Sequence, residues 1–261
     1  MQKKLFAVAV AAVAVAALAP GAAQAAAPAG TYVALGDSYA AGVGAPPYTD
    51  PTCLRGSGGY PVLLAAEKPR NELRYDACSG ATTADLLSTQ LGNVDRRTRV
   101  VTVTIGGNDL GFNGIGTCMQ GTDADCAVVV DEAKKFTAQT LPGRLDAVFR
   151  AIRQRAPFAE VVVTGYARFF ETTPECAEVP PASLAKRHGL NDAVDGLNAQ
   201  IQRRAERNNV RFADVQKRFA GHGLCGSAPW MSGPAALAPF HPTAEGYRDA
   251  YLPAVRKALC K

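Results

Sequence analysis

Short runs of strand-forming residues, three of them closing on a glycine, alternate with stretches of helical spacing along this 261-residue chain. A run, a helix and another run in succession return the chain in parallel, and a parallel sheet has to be covered on both faces. Five runs read as strands: TYVALG (31–36), LRYDAC (73–78), RVVTVTIGG (99–107), AEVVVTG (159–165) and VRFADV (210–215). Residues 60–67 and TTADLLSTQL (82–91, capped by Thr82 or Thr83) read as helices, as do residues 183–209 and the segment after Pro242. A further long helical stretch follows Asp125, with a break expected near Pro142. The fold class expected is α/β, a three-layer α/β/α sandwich around a central, mainly parallel five-stranded sheet.

The N-terminus stands apart from this pattern. Lys3 and Lys4 form a basic head, LFAVAVAAVAVAALAP an apolar core, and Ala23-Gln24-Ala25 a small-residue cleavage site. That order predicts a signal peptide over 1–25 and one exported domain over 26–261. The apolar run is shorter than the roughly 20 residues of a membrane-spanning helix. Loss of Lys3 and Lys4 takes the formal charge from +5 to +3, too mild and too scattered for a nucleic-acid partner. Seven cysteines in an exported chain read as disulfides, with Cys118–Cys126, Cys53–Cys78 and Cys176–Cys225 the pairing expected and Cys260 a free thiol. Other pairings remain open on spacing alone.

In parallel sheets, ligands gather beyond the C-terminal strand ends. Ser38 follows the first strand, Asn108 follows the third, and His241 precedes the last helix. A serine hydroxyl needs an imidazole to take its proton before it can attack, and the oxyanion it creates needs fixed N–H donors. Ser38 N–H, Gly80 N–H and the Asn108 amide are three candidate donors. The small residues after Ser38 suggest a turn left bare for substrate. Each signal alone is weak, since Gly-Asp-Ser, Gly-Gly-Asn-Asp and His-Pro also occur in ordinary turns; their order at the proper strand ends gives them weight.

The segments GDSYAAG (36–42), Gly80 in CSGATT, GGND (106–109) and HPTAEGY (241–247) resemble the four sequence blocks of the SGNH (GDSL-type) hydrolases. The likeness runs over nearly the whole chain after residue 25. It implies a flavodoxin-like sandwich, Ser38 as nucleophile, His241 as general base, and Gly80 and Asn108 as oxyanion donors beside the Ser38 amide. It is similar to the secreted lipase and esterase branch with three disulfides, which supports the pairing above. Many members carry an aspartate three residues before the histidine; here that position is Ala238. The Pro239 carbonyl is therefore the expected acceptor for His241 Nδ1–H, with Asp37, Asp214, Glu245 and Asp249 as rival orienters.

His188 reads as a surface residue, His222 as a loop residue able to line the cleft, and Asp109 as the anchor of its own turn. Phe112, Phe169, Phe170, Trp230 and Phe240 would either form an acyl-chain groove or pack the long loops onto the sheet. The expected function is a secreted esterase or lipase acting on small-molecule or lipid esters through an acyl-enzyme on Ser38. No cofactor and no metal are expected, contact with a lipid interface is transient, and the protein is a monomer. A carbohydrate-ester deacetylase, a phospholipase or a thioesterase are the enzymatic alternatives, and an exported, disulfide-stapled binding protein the non-enzymatic one. No GxSxG, HExxH or GxxxxGK[ST] motif occurs.

Overall fold

The computed structural model describes residues 30–68, 70–111 and 114–260. The expected leader at 1–25 and Phe112 lie outside them. In chain order the strands are β1 (Gly30–Gly36), β2 (Tyr48–Asp50), β3 (Arg55–Gly56), β4 (Asn71–Tyr75), β5 (Thr98–Thr104), β6 (Glu160–Thr164) and β7 (Arg211–Ala213). Five of these form one sheet in the order β4-β1-β5-β6-β7, with every neighbouring pair parallel. The fold class read from the sequence is the one observed. The antiparallel β2–β3 pair, inside the Gly- and Pro-rich loop, was not expected.

The helices are α1 (Ser38–Ala41), α2 (Tyr60–Glu67), α3 (Thr83–Asp85), α4 (Gly114–Gln120), α5 (Asp123–Gln139), α6 (Leu141–Arg155), α7 (Leu184–Arg207), α8 (Gln216–Phe219), α9 (Ala244–Gly246) and α10 (Leu252–Leu259). A π-helical turn extends α3 over Leu86–Gln90, and another joins α9 to α10 over Tyr247–Tyr251. Of the two expected caps, Thr82 is the one that starts α3, and it does so with a reciprocal bond to Asp85. The long helical stretch is broken near Pro142 as expected: α5 ends at Gln139, and Pro142 sits in the first turn of α6, where its missing N–H costs nothing. Leu141, Leu145, Val148, Phe149 and Ile152 give α6 one buried stripe. Helices α5, α6 and α7 pack together, and α2 packs on α10, so the two groups cover the two sheet faces. Tyr32 to Leu35, Val100, Val101, Val103 and Val161 to Val163 are buried accordingly.

Three departures from the expected boundaries share one cause: strands stop where the chain has to turn. β4 pairs only through Tyr75, although Asp76 and Ala77 still donate to the Ala34 carbonyl, each at 2.9 Å. β5 ends at Thr104, before the turn at Gly106, and β7 keeps only Arg211 to Ala213 of the expected run. Helix α4 was unforeseen because Gly114 and Gly116 are poor helix formers; the Cys118–Cys126 bond ties it to α5. Cys53–Cys78 and Cys176–Cys225 are also bonded, and the Cys260 thiol is exposed.

Candidate active site

Ser38 reaches its position through a sharp strand exit. Gly36 has φ +125°, and a Cβ there would lie 2.0 Å from the Thr104 carbonyl oxygen, so only glycine fits. Its N–H donates to Gln90 Oε1 at 2.7 Å and its carbonyl accepts from Gln90 Nε2 at 2.9 Å, an amide taking the place of a neighbouring strand. Asp37 then caps α1, accepting the Tyr39 N–H at 3.0 Å, and Ser38 opens the helix. The small residues that follow are not left bare for substrate. Ala40 and Ala41 are fully buried, and Gly44 lies so near the Pro242 carbonyl oxygen that a Cβ would sit 2.3 Å from it. Their smallness lets the histidine loop close over the serine turn.

That loop brings His241 to Ser38: Nε2 lies 2.8 Å from Ser38 Oγ, and Nδ1 lies 2.8 Å from the Pro239 carbonyl oxygen. With Nδ1–H donating to Pro239, Nε2 is left as the acceptor for the hydroxyl proton. Burial lowers the imidazole pKa, and the Pro239 and Ala238 carbonyls partly offset this. The rival carboxylates are occupied elsewhere. Asp37 binds Tyr39 and Tyr166, Asp214 accepts the Gln216 N–H, Glu245 is held by its own helix start and Thr243, and Asp249 pairs with Arg248.

Gly80 and Asn108 face the same strand ends. Cys78 N–H donates to the Gly36 carbonyl at 3.0 Å, and Asn108 Nδ2 donates to the Ala81 carbonyl at 2.9 Å. The segment carrying Gly80 is thereby tied to both the serine turn and the Asn108 turn. Around Gly80 a Cβ would meet nothing within 4 Å, so its face is open. Asp109 anchors its turn by accepting from Thr83 N, Thr83 Oγ1 and Arg144.

Two tyrosines that carried no signal in the sequence hold this arrangement together. Tyr39 O–H donates to the Phe240 carbonyl at 2.6 Å, and its ring lies 5.2 Å from the His241 ring. Phe240 has φ +59°, a strained conformation for a bulky residue, and this bond helps to keep it there. Tyr166, just past β6, donates to Asp37 and accepts the Gly107 N–H at 3.0 Å. Only the adjacency of Tyr39 to Ser38 could have marked either in advance.

Phe169, Phe170 and Phe240 are buried against one another at 5.9–6.5 Å, which is loop packing. Trp230 stacks on His222, whose Nδ1 meets the Ala228 carbonyl, and His188 is exposed. An open cleft of about 630 Å³ runs beside His241 instead, lined among others by Val43, Leu54, Ile115, Leu237 and Phe240. Leu237 stands fully exposed at its edge. Among the described residues no cluster of His, Cys, Asp or Glu could hold a metal ion.

Residues 34–248 match the family model described as GDSL-like Lipase/Acylhydrolase family. The chain belongs to this family. It is 42% identical over 232 residues to a lipase of Streptomyces rimosus, covering 87% of this chain and 86% of that one. It is 41% identical over 244 residues to Lipase 1 of Streptomyces coelicolor, covering 90% of each. A crystal structure of an extracellular lipase from Streptomyces rimosus superposes with TM-score 0.84 at 42% identity, covering 88% of this chain and 100% of that one. A phospholipase A1 from Streptomyces albidoflavus NA297 gives TM-score 0.84 at 39% identity over 88% and 99%. Within the family the chain is accordingly read as a carboxylic ester hydrolase.

Proposed function

We propose that this protein is a secreted esterase or lipase that hydrolyses fatty acyl esters through an acyl-enzyme on Ser38, with a Ser38–His241 dyad as its machinery. The observation that carries the reading is the 2.8 Å approach of His241 Nε2 to Ser38 Oγ while Nδ1 is held by Pro239. Ser38 Oγ attacks the ester carbonyl carbon as its proton passes to Nε2. The oxyanion is received by the Ser38 N–H, the Gly80 N–H and the free hydrogen of Asn108 Nδ2. The imidazolium returns the proton to the leaving alcohol. Water, deprotonated by the same nitrogen, then releases the acid and restores Ser38.

A carbonyl dipole at Nδ1 fixes the tautomer but stabilises the imidazolium less than a full charge would. The apolar cleft beside His241 favours esters with extended acyl chains over acetylated sugars, and such a cleft suits contact with a lipid surface. The likeness to a phospholipase A1 extends the candidate substrates to phospholipids. Three disulfides accord with export, and the enzyme is read as a monomer.

A p-nitrophenyl ester series run beside acetylated sugars, each with a Ser38→Ala control, tests this. Ser38→Ala is expected to lose activity by at least 10³-fold and to resist labelling by an organophosphorus reagent. Retained hydrolysis in Ser38→Ala would remove the serine mechanism. A preference for acetylated sugars over decanoate would move the protein to the deacetylases.

A further inference from the structure

We propose that Tyr166 is a positioning residue for this chemistry: through Asp37 it locks the nucleophile's turn to the turn that carries Asn108. The proposal rests on the reading of Ser38 as nucleophile and Asn108 as oxyanion donor. The β1–β5 ladder makes its last bond from Asp37 N–H to the Thr104 carbonyl, at 2.9 Å. Beyond that bond the two strands part, β1 into the cap that opens α1 at Ser38 and β5 into the turn that carries Asn108. Tyr166 bridges them.

Its hydroxyl accepts the Gly107 N–H at 3.0 Å and donates its single proton to Asp37 Oδ2. Asp37 Oδ1 in turn accepts the Tyr39 N–H at 3.0 Å. The chain runs without a gap from the residue before Asn108 to the residues on either side of Ser38. Tyr166 and Asp37 are both buried, so no solvent competes for these bonds. Tyr166 is itself clamped, since Asn198 accepts its N–H and donates to its carbonyl, each at 2.8 Å. The Tyr39 ring packs edge-on against it at 5.1 Å, which closes the bracket on the side of His241. A phenol suits the position because one oxygen must accept from an amide and donate to a carboxylate at the same time.

The bracket acts on the transition state rather than on substrate binding. An oxyanion donor has to sit within a few tenths of an ångström of its place to work, whereas neither Tyr166 nor Asp37 lines the cleft beside His241 that would take the acyl chain. Loss of the Tyr166 hydroxyl should therefore let the Asn108 turn drift relative to Ser38 while leaving the acyl groove intact.

Tyr166→Phe is expected to lower kcat on p-nitrophenyl butyrate by about 10- to 100-fold with KM held within about twofold. Tyr32→Phe is the control. It deletes another buried hydroxyl, bonded at 2.8 Å to Thr102, and should keep its kcat. The double variant Asp37→Asn/Tyr166→Phe should lose no more than the worse single one, because both break the same chain. A kcat for Tyr166→Phe within twofold of the parent, a loss seen only in KM, or an equal loss in Tyr32→Phe would overturn the proposal. Should Tyr166→Phe fail to fold by circular dichroism, Asp37→Asn is read in its place against the same outcomes. Ser38→Ala in the same series separates the two levels. If it is inactive and Tyr166→Phe is unimpaired, the positioning role alone falls; if it stays active, both fall.

Discussion

Asp37 and His241 are both shifted by burial, in opposite senses. Burial raises the Asp37 carboxyl to about 7, against the pull of Tyr166 and the Tyr39 and Ala40 amides. A folded-state value above that of the unfolded chain means that this group stabilises the fold at acid pH, and that the benefit is lost as pH rises through about 7. Relative to Asp37→Asn, the parent should therefore gain thermal stability between pH 8 and pH 5; a constant Tm difference across that range would contradict this. His241 is lowered below its usual 6.5, so it favours folding above that value and loses this contribution as pH falls through its folded pKa. The same neutral imidazole is the base, and kcat/KM should fall on the acid side with an apparent pKa below 6.5, read from a pH–rate profile.

Where strands end at the site, side-chain amides take over the work of a neighbouring strand. Gln90 serves both polar groups of Gly36, Asn198 those of Tyr166, and Asn191 those of Phe170, at 3.3 and 2.7 Å for the last. Each amide sits on a helical element and is buried, so its backbone partner has no water to turn to. Gln90→Met keeps the bulk but leaves the Gly36 N–H without an acceptor, which should cost about 2 kcal/mol in urea unfolding. A change below about 0.5 kcal/mol would show that the clamp is dispensable. The strands and the long helices were legible because burial on both faces imposes β-branched runs and burial on one imposes a stripe of period 3.6. The clamps were not, because a glutamine or asparagine in a helix reads as surface until the strand end beneath it is known.

Across the whole molecule, disulfides and buried cations that bond main-chain carbonyls hold the rim segments together. Cys176–Cys225 spans 49 residues and Cys118–Cys126 only 8. Constraint of the unfolded chain alone predicts about 4 kcal/mol for the first and about 2.5 kcal/mol for the second. Replacing each pair by alanine should reproduce that order in chemical denaturation, and the reverse order would show that native contacts dominate instead. The loop before α7 is also gathered by Arg187, fully buried, which donates to the carbonyls of Ala182, Glu171, Thr173 and Pro174. Lys186 does the same for Met119, Gly121 and Pro181. The partners of both cations are main-chain oxygens, which no side-chain pattern announces.

Hydrophobic period and strand-end glycines were enough to set the α/β class, while the order of four short blocks and the family likeness they carry pointed to Ser38, Asn108 and His241 and supported one disulfide pairing. Period and turn glycines are local properties, fixed by which residues can turn, pair or be buried. The tertiary structure alone decided what surrounds them: the Tyr39 and Tyr166 bracket, and a cleft beside His241 lined largely by aliphatic residues, with Phe240, among the described residues, the one member of the aromatic group that reaches it. The bonds of the bracket join residues 59 to 201 positions apart, and a hydrogen bond across such a distance depends on how the whole chain packs.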